Sequence, residues 1–216
     1  MAENYQRILD NELRRIAESE RVPTLLLHSC CAPCSSYVLE YLSRYFAITV
    51  LYYNPNISPV EEFSHRAEEQ RRLINEIPHH HPISLIVGNY TPDKFVAIAK
   101  GHEGDPEGGE RCFACYRLRL EEAARAAADG GFDYFTTTLS ISPLKNAAKL
   151  NEIGKELSAR YGVAYLFSDF KKREGYKRSC QLSAEYGLYR QDYCGCVYSK
   201  RDAARRNKEK NLNNHA

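Results

Sequence analysis

The chain has 216 residues, of which 43% are hydrophobic and 27% are charged, and its formal net charge is +2. These values are typical of a globular protein with a substantial core. They argue against a membrane-spanning protein, because no apolar run reaches the about 18 residues that a span needs, and the first residues lack a signal-peptide pattern. We therefore expect a cytoplasmic protein with no membrane partner.

Hydrophobic periodicity predicts strands that alternate with helices along the chain. In chain order the pattern predicts a helix at 4–20, a strand at 24–28, a helix at 35–45, a strand at 46–53, a helix at 59–76, a strand at 83–87, helices at 92–99 and 112–128, a strand at 132–136, a helix at 143–160 and a strand at 163–166. This alternation is typical of an α/β sandwich around a mostly parallel sheet. We predict one domain over 1–216: an N-terminal helix within 1–22, a sheet-and-helix core at 23–167 and a basic helical extension at 168–216.

Positive charge is concentrated towards the C-terminus. Residues 171–210 contain 12 Lys or Arg and 5 Asp or Glu. Such asymmetry favours a polyanionic partner, although a solvated basic helix would explain the same count. The part that best fits an RNA-binding patch combines cations with two aromatic side chains: Phe170, Lys171, Lys172, Arg173, Tyr176, Lys177 and Arg178.

Most of the eight cysteines are closely grouped. They form a Cys-Cys pair followed by a third cysteine, a C-x-x-C, a C-x-C and one isolated residue: Cys30, Cys31 and Cys34; Cys112 and Cys115; Cys194 and Cys196; and Cys180. In a reducing compartment, paired cysteines more often bind metal or carry redox chemistry than form structural disulfides.

The cysteine spacing favours an iron–sulfur cluster. Cys30 and Cys31 follow the first predicted strand, at the sheet edge where this kind of fold binds ligands. Thiolates select zinc, copper(I) or iron–sulfur clusters, and adjacent cysteines fit zinc-finger spacing poorly. We predict a [4Fe–4S] cluster, with a zinc site and metal-free thiols as the alternatives. The isolated Cys180 is interpreted as a packing residue.

Five blocks of sequence carry a resemblance to a known family. In order they are Leu25 to Ser35; Tyr52 to Pro59 with Glu62, Phe63 and Arg66; Arg111 to Arg119; Thr137 to Asn146; and Phe170 to Cys196. Together they cover nearly all of residues 24–197, and they resemble the QueH-type epoxyqueuosine reductases. The resemblance implies a Rossmann-like sandwich of the HUP type. It also implies reduction of epoxyqueuosine in tRNA to queuosine, the last step of queuosine biosynthesis.

The resemblance also divides the cysteines by role. It implies that four of them hold a [4Fe–4S] cluster: Cys30, Cys31, Cys112 and Cys115. It implies that Cys194 and Cys196 form a redox-active disulfide or bind a further metal, such as an additional iron ion. Cys34 is either a further metal ligand or inert.

Reducing an epoxide to an alkene requires two electrons, which no amino-acid side chain supplies, so a cofactor and an external electron donor are expected. A dithiol such as Cys194 with Cys196 could carry both electrons. The proton donors that the sequence places near cysteines are Tyr116, Asp192 and Tyr193.

Candidate contacts with tRNA come from three sources. Asn54 and Asn56 follow the second predicted strand at the same sheet edge as Cys30, although they could simply be turn residues. Ser140 precedes a predicted helix, where it could bind phosphate or serve only as a cap. The remaining candidates lie in the matched blocks or in the basic patch: Arg66, Lys145, Tyr176, Arg178 and Arg190.

Two further functions remain as alternatives. An ATP-dependent tRNA thiolase or pyrophosphatase would need a Ser-Gly-Gly-x-Asp-Ser loop after the first strand, where this chain has Ser29 to Cys34. A zinc-stabilised RNA-binding module would unfold without its metal and would carry no redox chemistry.

Overall fold

A parallel sheet of five strands lies at the centre of the fold. We describe a computed structural model that covers residues 3–213, and the side chains of residues 3–208. The strands are β1 (Thr24–Ser29), β2 (Ala47–Tyr52), β3 (Ile83–Val87), β4 (Tyr134–Thr137) and β5 (Ala164–Tyr165). Their order is β3-β2-β1-β4-β5, and every neighbouring pair is parallel. This is the order at the centre of a Rossmann fold, and it confirms the predicted α/β sandwich.

Eight α-helices are present among residues 3–213. They are α1 (Tyr5–Ala17), α2 (Ala32–Leu42), α3 (Val60–Glu76), α4 (Pro92–Ala99), α5 (Glu110–Asp129), α6 (Ala147–Tyr161), α7 (Gly175–Glu185) and α8 (Val197–Asn213). None of them combines the length and the apolar composition that crossing a membrane requires.

The helices cover both faces of the sheet. Side chains of a strand point alternately to its two faces, so Leu25 and Leu27 of β1 pack on one side and Leu26 on the other. Helices α1, α2 and α3 contribute to the first layer, and α5 and α6 to the second. Each fully buried leucine contributes roughly 2 kcal/mol of transfer free energy. The two layers therefore bury and stabilise both faces of the sheet.

The strand register brings three loops together at one edge. Ser29, the last residue of β1, is opposite Tyr52, the last residue of β2, and His28 is opposite Thr137, the last residue of β4. The segments that follow these strands therefore begin side by side. They contain Cys30 and Cys31, the Asn54–Asn56 turn and the loop that leads to α6.

The start of α6 differs from the prediction. A short 3-10 helix at Thr138–Ile141 follows β4, and α6 begins at residue 147 instead of 143. Ser142 is extended because it precedes Pro143, which disfavours helical backbone at that position. The cap of α6 is Asn146, whose side chain accepts a hydrogen bond from Lys149 N. The interpretation of the Ser140–Pro143 segment as the cap of this helix was therefore wrong.

The C-terminal extension is helical over α7 and α8, as predicted. Helix α7 packs against α2. Residues 214–216 of the predicted extension, and residues 1–2 of the N-terminal segment, lie outside the described residues.

Candidate active site

Three cysteine sulfurs converge at the carboxyl end of β1. The Sγ atoms of Cys30, Cys31 and Cys34 all lie within 4.8 Å of one another, and those of Cys30 and Cys31 are 3.7 Å apart. Local structure explains this convergence. Strand β1 ends at Ser29 and α2 begins at Ala32, so Cys31 is the N-cap and Cys34 lies in the first helical turn. We call these three residues the first cysteine group.

One thiol of this group is predisposed to ionise. Hydrogen bonds from Cys31 and Cys34 lower the pKa of Cys30 well below its usual value. The hydrogen bond to Cys30 raises the pKa of Cys31 to about 12. The group therefore holds one thiolate stabilised by two thiols. Three converging soft sulfurs, one of them ionised, are a donor set that fits an iron–sulfur cluster.

The other four grouped cysteines line a second, smaller cavity. This cavity has a volume of about 20 Å³, and Cys112, Cys115, Cys194 and Cys196 all contribute to its wall. Cys112 and Cys115 lie three residues apart in the first turns of α5, so they share one helix face. Cys196 immediately precedes α8 and is buried. We call these four residues the second cysteine group; all eight cysteines of the chain are free thiols.

Gly195 allows the C-x-C segment to approach the sheet edge. Its φ of 119° lies in a region that favours glycine. A Cβ at this position would lie 2.9 Å from Ile57 Cγ1, which is too close for any larger residue. The carbonyl of Gly195 accepts a hydrogen bond from Ser58 N at 3.0 Å. The segment is therefore held against the turn that follows β2.

Arg66 of α3 also holds the segment that contains Cys194 and Cys196. Its guanidinium is buried, lies 2.6 Å from a carboxylate oxygen of Glu62 and donates a hydrogen bond to Cys194 O at 3.2 Å. The prediction that Arg66 contacts tRNA is therefore corrected, because only 1% of the side chain is exposed. It holds Cys194 in place.

A buried cation lies between the two cysteine groups. Arg119 of α5 is 1% exposed, and among the described residues no carboxylate lies within 4 Å of it. Burial alone would lower the pKa of Arg119, but electrostatic attraction to the sulfurs of Cys115, Cys30 and Cys194 outweighs that effect and raises it. The guanidinium therefore stays charged and faces sulfurs of both groups.

Arg119 is oriented by two neutral partners. Its Nη2 donates to Asn54 Oδ1 at 2.6 Å, and its Nε donates to His28 Nε2 at 3.3 Å. Burial and the Arg119 charge lower the pKa of His28 to about 3, so its imidazole is neutral. Asn54 also donates to Ser29 O at 2.9 Å and is fully buried. The prediction that Asn54 contacts tRNA is therefore corrected, since its amide supports the loop that carries Cys30.

The first cysteine group opens into a larger cavity of about 430 Å³. Volumes of 300 to 1,000 Å³ are typical of small-molecule sites. Its wall combines sulfur, apolar and charged side chains. Residues that matter for its chemistry are Cys194, Lys145, Glu107, Tyr176, Arg190 and Asp192.

Lys145 and Glu107 line both cavities. Lys145 Nζ is buried and lies 3.2 Å from Oε1 of the partly buried Glu107, with which it forms an ion pair. Burial would lower the pKa of Lys145, but the acidic groups of Cys194, Tyr116 and Glu107 outweigh it and raise the pKa. The ammonium group therefore remains protonated where the two cavities meet.

Tyr116 lies in the wall of the smaller cavity and is buried. Its hydroxyl has no hydrogen-bond partner among the described residues. Burial raises its pKa, so the phenol retains its proton at neutral pH. Asn56 is also buried at this cavity, with Oδ1 unpartnered among the described residues.

Tyr176 and Arg190 lie at the rim of the larger cavity, where sequence reasoning expected contacts with tRNA. Tyr176 is exposed, and Arg190 donates a hydrogen bond to its hydroxyl at 3.1 Å. The Arg190 guanidinium also lies 5.7 Å from the centre of the Tyr176 ring. Asp192 is exposed at the same rim and accepts a hydrogen bond from Asn207.

Three other predicted contacts with tRNA lie elsewhere. Ser140 is buried, where its hydroxyl contacts Ser168 Oγ and accepts from Phe170 N. Phe170 is 1% exposed in the core, so it cannot stack on a base. Arg178 pairs with Glu40 at 2.5 Å and does not line the larger cavity. The expectations for Ser140 and Phe170 are corrected, because these side chains are buried within the fold, whereas the contact of Arg178 with tRNA stays a prediction.

Sequence reasoning gave no role to His28, Glu107 or Arg119. A signal for Arg119 was available: it is a charged residue four positions after Cys115, on the face of α5 that also carries the buried Leu120 and Ala123. Glu107 had no such signal, because it lies in a Gly-rich loop.

Comparison with known proteins identifies the family. A family model described as epoxyqueuosine reductase QueH matches residues 25–202. Proteins named epoxyqueuosine reductase QueH from Staphylococcus epidermidis and Streptococcus pyogenes are 43% and 42% identical to it; each match covers 91% of this chain, and 84% and 78% of the relatives. A relative of the same name from Thermotoga maritima is 35% identical, over 82% of this chain and 90% of its own. The chain therefore belongs to the QueH family of epoxyqueuosine reductases.

Proposed function

We propose that this chain reduces the epoxide of epoxyqueuosine in tRNA to the alkene of queuosine, using a cysteine-bound [4Fe–4S] cluster. The chain is an oxidoreductase by its family, and tRNA is its expected substrate. The observation that carries the proposal is the convergence of Cys30, Cys31 and Cys34 at the wall of a cavity large enough for a nucleoside. Family membership does not support the thiolase or the zinc-module alternative.

The arrangement of the sulfurs favours a set of cluster ligands that differs from the set implied by the resemblance. We propose that the first cysteine group, including Cys34, holds the cluster. Cys112 and Cys115, which the resemblance also assigned to the cluster, line the same cavity as Cys194 and Cys196. Four thiols around one small cavity would suit an additional iron ion, or a dithiol pair that exchanges electrons with the cluster.

The reaction breaks both carbon–oxygen bonds of the epoxide and forms one carbon–carbon double bond. It consumes two electrons and two protons and releases one water molecule. When bound, the cluster would supply electrons one at a time from an external donor. The protein must supply the two protons and keep bulk water away from the epoxide.

We propose that Lys145 and Tyr116 assist the departure of the epoxide oxygen. Lys145 Nζ remains protonated where the cavities meet, and it would stabilise the oxygen as it becomes negative. We propose Tyr116 as the proton donor, because its hydroxyl is protonated and unpartnered among the described residues and lies in the wall of the smaller cavity, which shares Lys145 with the larger one. Asp192 is exposed at the rim, a position that suits substrate binding better than proton donation.

The rim of the larger cavity suits an unpaired nucleoside. Tyr176 offers an exposed ring held by Arg190, and aromatic side chains bind RNA bases by stacking. We propose that the protein acts in the cytoplasm, because its proposed substrate is tRNA.

Anaerobic turnover tests the proposed function. The protein is purified without oxygen and incubated with epoxyqueuosine-containing tRNA and a chemical reductant, and the nucleosides are analysed by mass spectrometry. We expect a brown protein and loss of one oxygen atom from the modified nucleoside. A colourless, zinc-loaded protein, or unchanged nucleoside with an iron-loaded protein, would overturn the proposal.

A further inference from the structure

The basic patch that the sequence suggested as an RNA-binding surface is largely neutralised. Four of its five cations lie within 4 Å of carboxylates. The pairs are Lys171 with Asp169, Arg173 with Asp10, Lys177 with Glu174, and Arg178 with Glu40 and Glu185. Only Lys172 of the patch has no carboxylate within this distance among the described residues. A phosphate backbone would therefore find little net positive charge here.

Helix α8, unlike the basic patch at 171–178, presents a row of exposed cations. Ser199 and Ala203 are buried, whereas Arg201, Arg205 and Lys208 are exposed. The exposed residues are spaced by four and three positions, so they form a row on one helix face. At 1.5 Å per residue this row extends about 10 Å along the axis.

The cations of α8 keep most of their charge. Among the described side chains, Lys200, Arg205 and Lys208 have no carboxylate within 4 Å. Arg201 lies 3.5 Å from the carboxylate of its neighbour Asp202, and Arg206 lies 3.9 Å from Glu107. Among the side chains described up to residue 208, five cations therefore face two carboxylates, which leaves a local charge of about +3.

Helix α8 also adjoins the mouth of the larger cavity. Asn207 donates a hydrogen bond to Asp192 at 3.0 Å, and Arg206 reaches Glu107. Lys200 Nζ lies 6.0 Å from the centre of the Tyr193 ring. Asp192, Glu107 and Tyr193 all line the larger cavity. A backbone that follows α8 would therefore deliver a nucleoside to this cavity.

We infer that α8 is the surface along which the tRNA backbone binds while the modified nucleoside enters the larger cavity. This inference rests on the proposed function, because that function supplies the polyanionic substrate. Phosphates that contact these cations would release condensed counterions, so binding should depend strongly on salt.

Two triple variants with equal loss of charge test the inference. The first combines Lys200→Gln, Arg205→Gln and Lys208→Gln on α8. The control combines Lys171→Gln, Lys172→Gln and Lys177→Gln in the patch. Anaerobic binding of tRNA is measured at several salt concentrations, with and without epoxyqueuosine in the tRNA, and iron content shows that both variants are assembled.

The α8 variant should bind tRNA about 100-fold more weakly near 0.1 M salt, with a salt slope reduced by about 2 to 3, since each phosphate contact contributes about 0.7 to 0.9. The control should stay within about threefold of the wild type. Equal weakening by both variants, or greater weakening by the control, would overturn the inference. So would an α8 variant that binds tRNA normally but accepts electrons more slowly from a protein donor, since α8 would then bind the donor.

These outcomes are separate from failure of the proposed function. If the wild-type protein binds tRNA through α8 but forms no queuosine, the function is wrong and the surface stands. If queuosine forms and the α8 variant binds as well as the wild type, the surface is wrong and the function stands.

Discussion

At the scale of single residues, the least expected feature is the charge of Arg119. A buried cation costs several kcal/mol unless an opposite charge compensates for it. No described carboxylate lies within 4 Å of Arg119, and the groups that raise its pKa are thiols of both cysteine groups. The ionisation of Cys30, whose pKa Arg119 helps to lower, and the burial of this arginine therefore stabilise each other.

Replacing Arg119 by Met should separate charge from volume. Arg119→Met removes the cation and leaves Asn54 Oδ1 without its donor, so we expect reduced iron content and a loss of about 3 kcal/mol in the free energy of unfolding. Arg119→Lys is the matched control. It keeps the charge but cannot make both hydrogen bonds, so it should retain iron with a smaller loss of stability. A Met variant with full iron content and wild-type stability in urea would contradict this account.

Cys34 provides a second residue-scale prediction. If its sulfur helps to hold the cluster, Cys34→Ala should weaken iron binding by more than about 100-fold, since loss of a group that only supports a ligand already costs 10- to 100-fold. Cys180→Ala is the control, because Cys180 is a partly buried cysteine outside both groups. Iron and sulfide per chain are measured after anaerobic reconstitution. Equal iron content in the two variants would show that Cys34 is inert.

At the scale of elements, one carboxylate ties the starts of β1 and β4 together. Asp133 accepts hydrogen bonds from Thr24 N at 2.8 Å and from Thr24 Oγ1 at 3.0 Å, and it pairs with Arg21. Its own N–H donates to Thr24 Oγ1. Since β1 carries the first cysteine group, this contact helps to set the strand register on which the site depends.

The Asp133 contact should give stability a defined pH dependence. Burial would raise the pKa of Asp133, but the hydrogen bonds from Thr24 and Arg21 outweigh it and lower the pKa below its usual value of 3.8. The folded state therefore gains stability above pH 3.8, and this gain is lost as the pH falls through the lowered pKa.

We expect Asp133→Asn to lower the free energy of unfolding by about 1 to 2 kcal/mol at pH 7. The difference from wild type should shrink below pH 3.8. Urea unfolding of the apoprotein at several pH values measures this effect. Asp129→Asn, at the exposed end of α5, should change stability by less than about 0.5 kcal/mol. A constant difference at all pH values would contradict the assignment.

At the scale of the whole molecule, the core and the site are stabilised in different ways. The two apolar layers that cover the sheet contain few of the cysteines. The segment that leads into α8 is held at the site by polar contacts, such as Arg66 with Cys194 O and Ser58 N with Gly195 O, and by the packing of Cys196 against Phe95 and Cys115. Metal bound at the cysteines would therefore stabilise the C-terminal segment more than the sheet.

Removing iron should affect these two parts unequally. We expect amide exchange in residues 187–213 to become at least about tenfold faster in the apoprotein, a change of about 1.4 kcal/mol in local opening. Exchange in β1, β2 and β4 should change little, because their amides lie in the sheet. Hydrogen exchange read by mass spectrometry compares the two forms. Uniform acceleration across the sheet would show that the metal holds the whole fold.

Much of the architecture followed from local sequence patterns. The apolar run around Val50 predicted β2, and the alternation of strands and helices predicted the parallel sheet. Where α6 begins was predicted wrongly because the backbone restriction imposed by Pro143 and the cap at Asn146 outweighed hydrophobic periodicity. Residues such as Ser140 and Asn54 were interpreted as ligand contacts because sequence alone does not show that a polar side chain has its partners inside the fold.

The sequence by itself determined the α/β class, the grouping of the cysteines and, through its resemblance, the family. These depend on periodicity, spacing and order along the chain, which are properties of the sequence itself. Only the tertiary structure decided that Cys34 joins Cys30 and Cys31, that Arg119 lies between the two cysteine groups, and that the patch at 171–178 is neutralised by acidic residues as distant in sequence as Asp10. The physical reason is that distances, burial and charge compensation between distant segments exist only after the chain has folded.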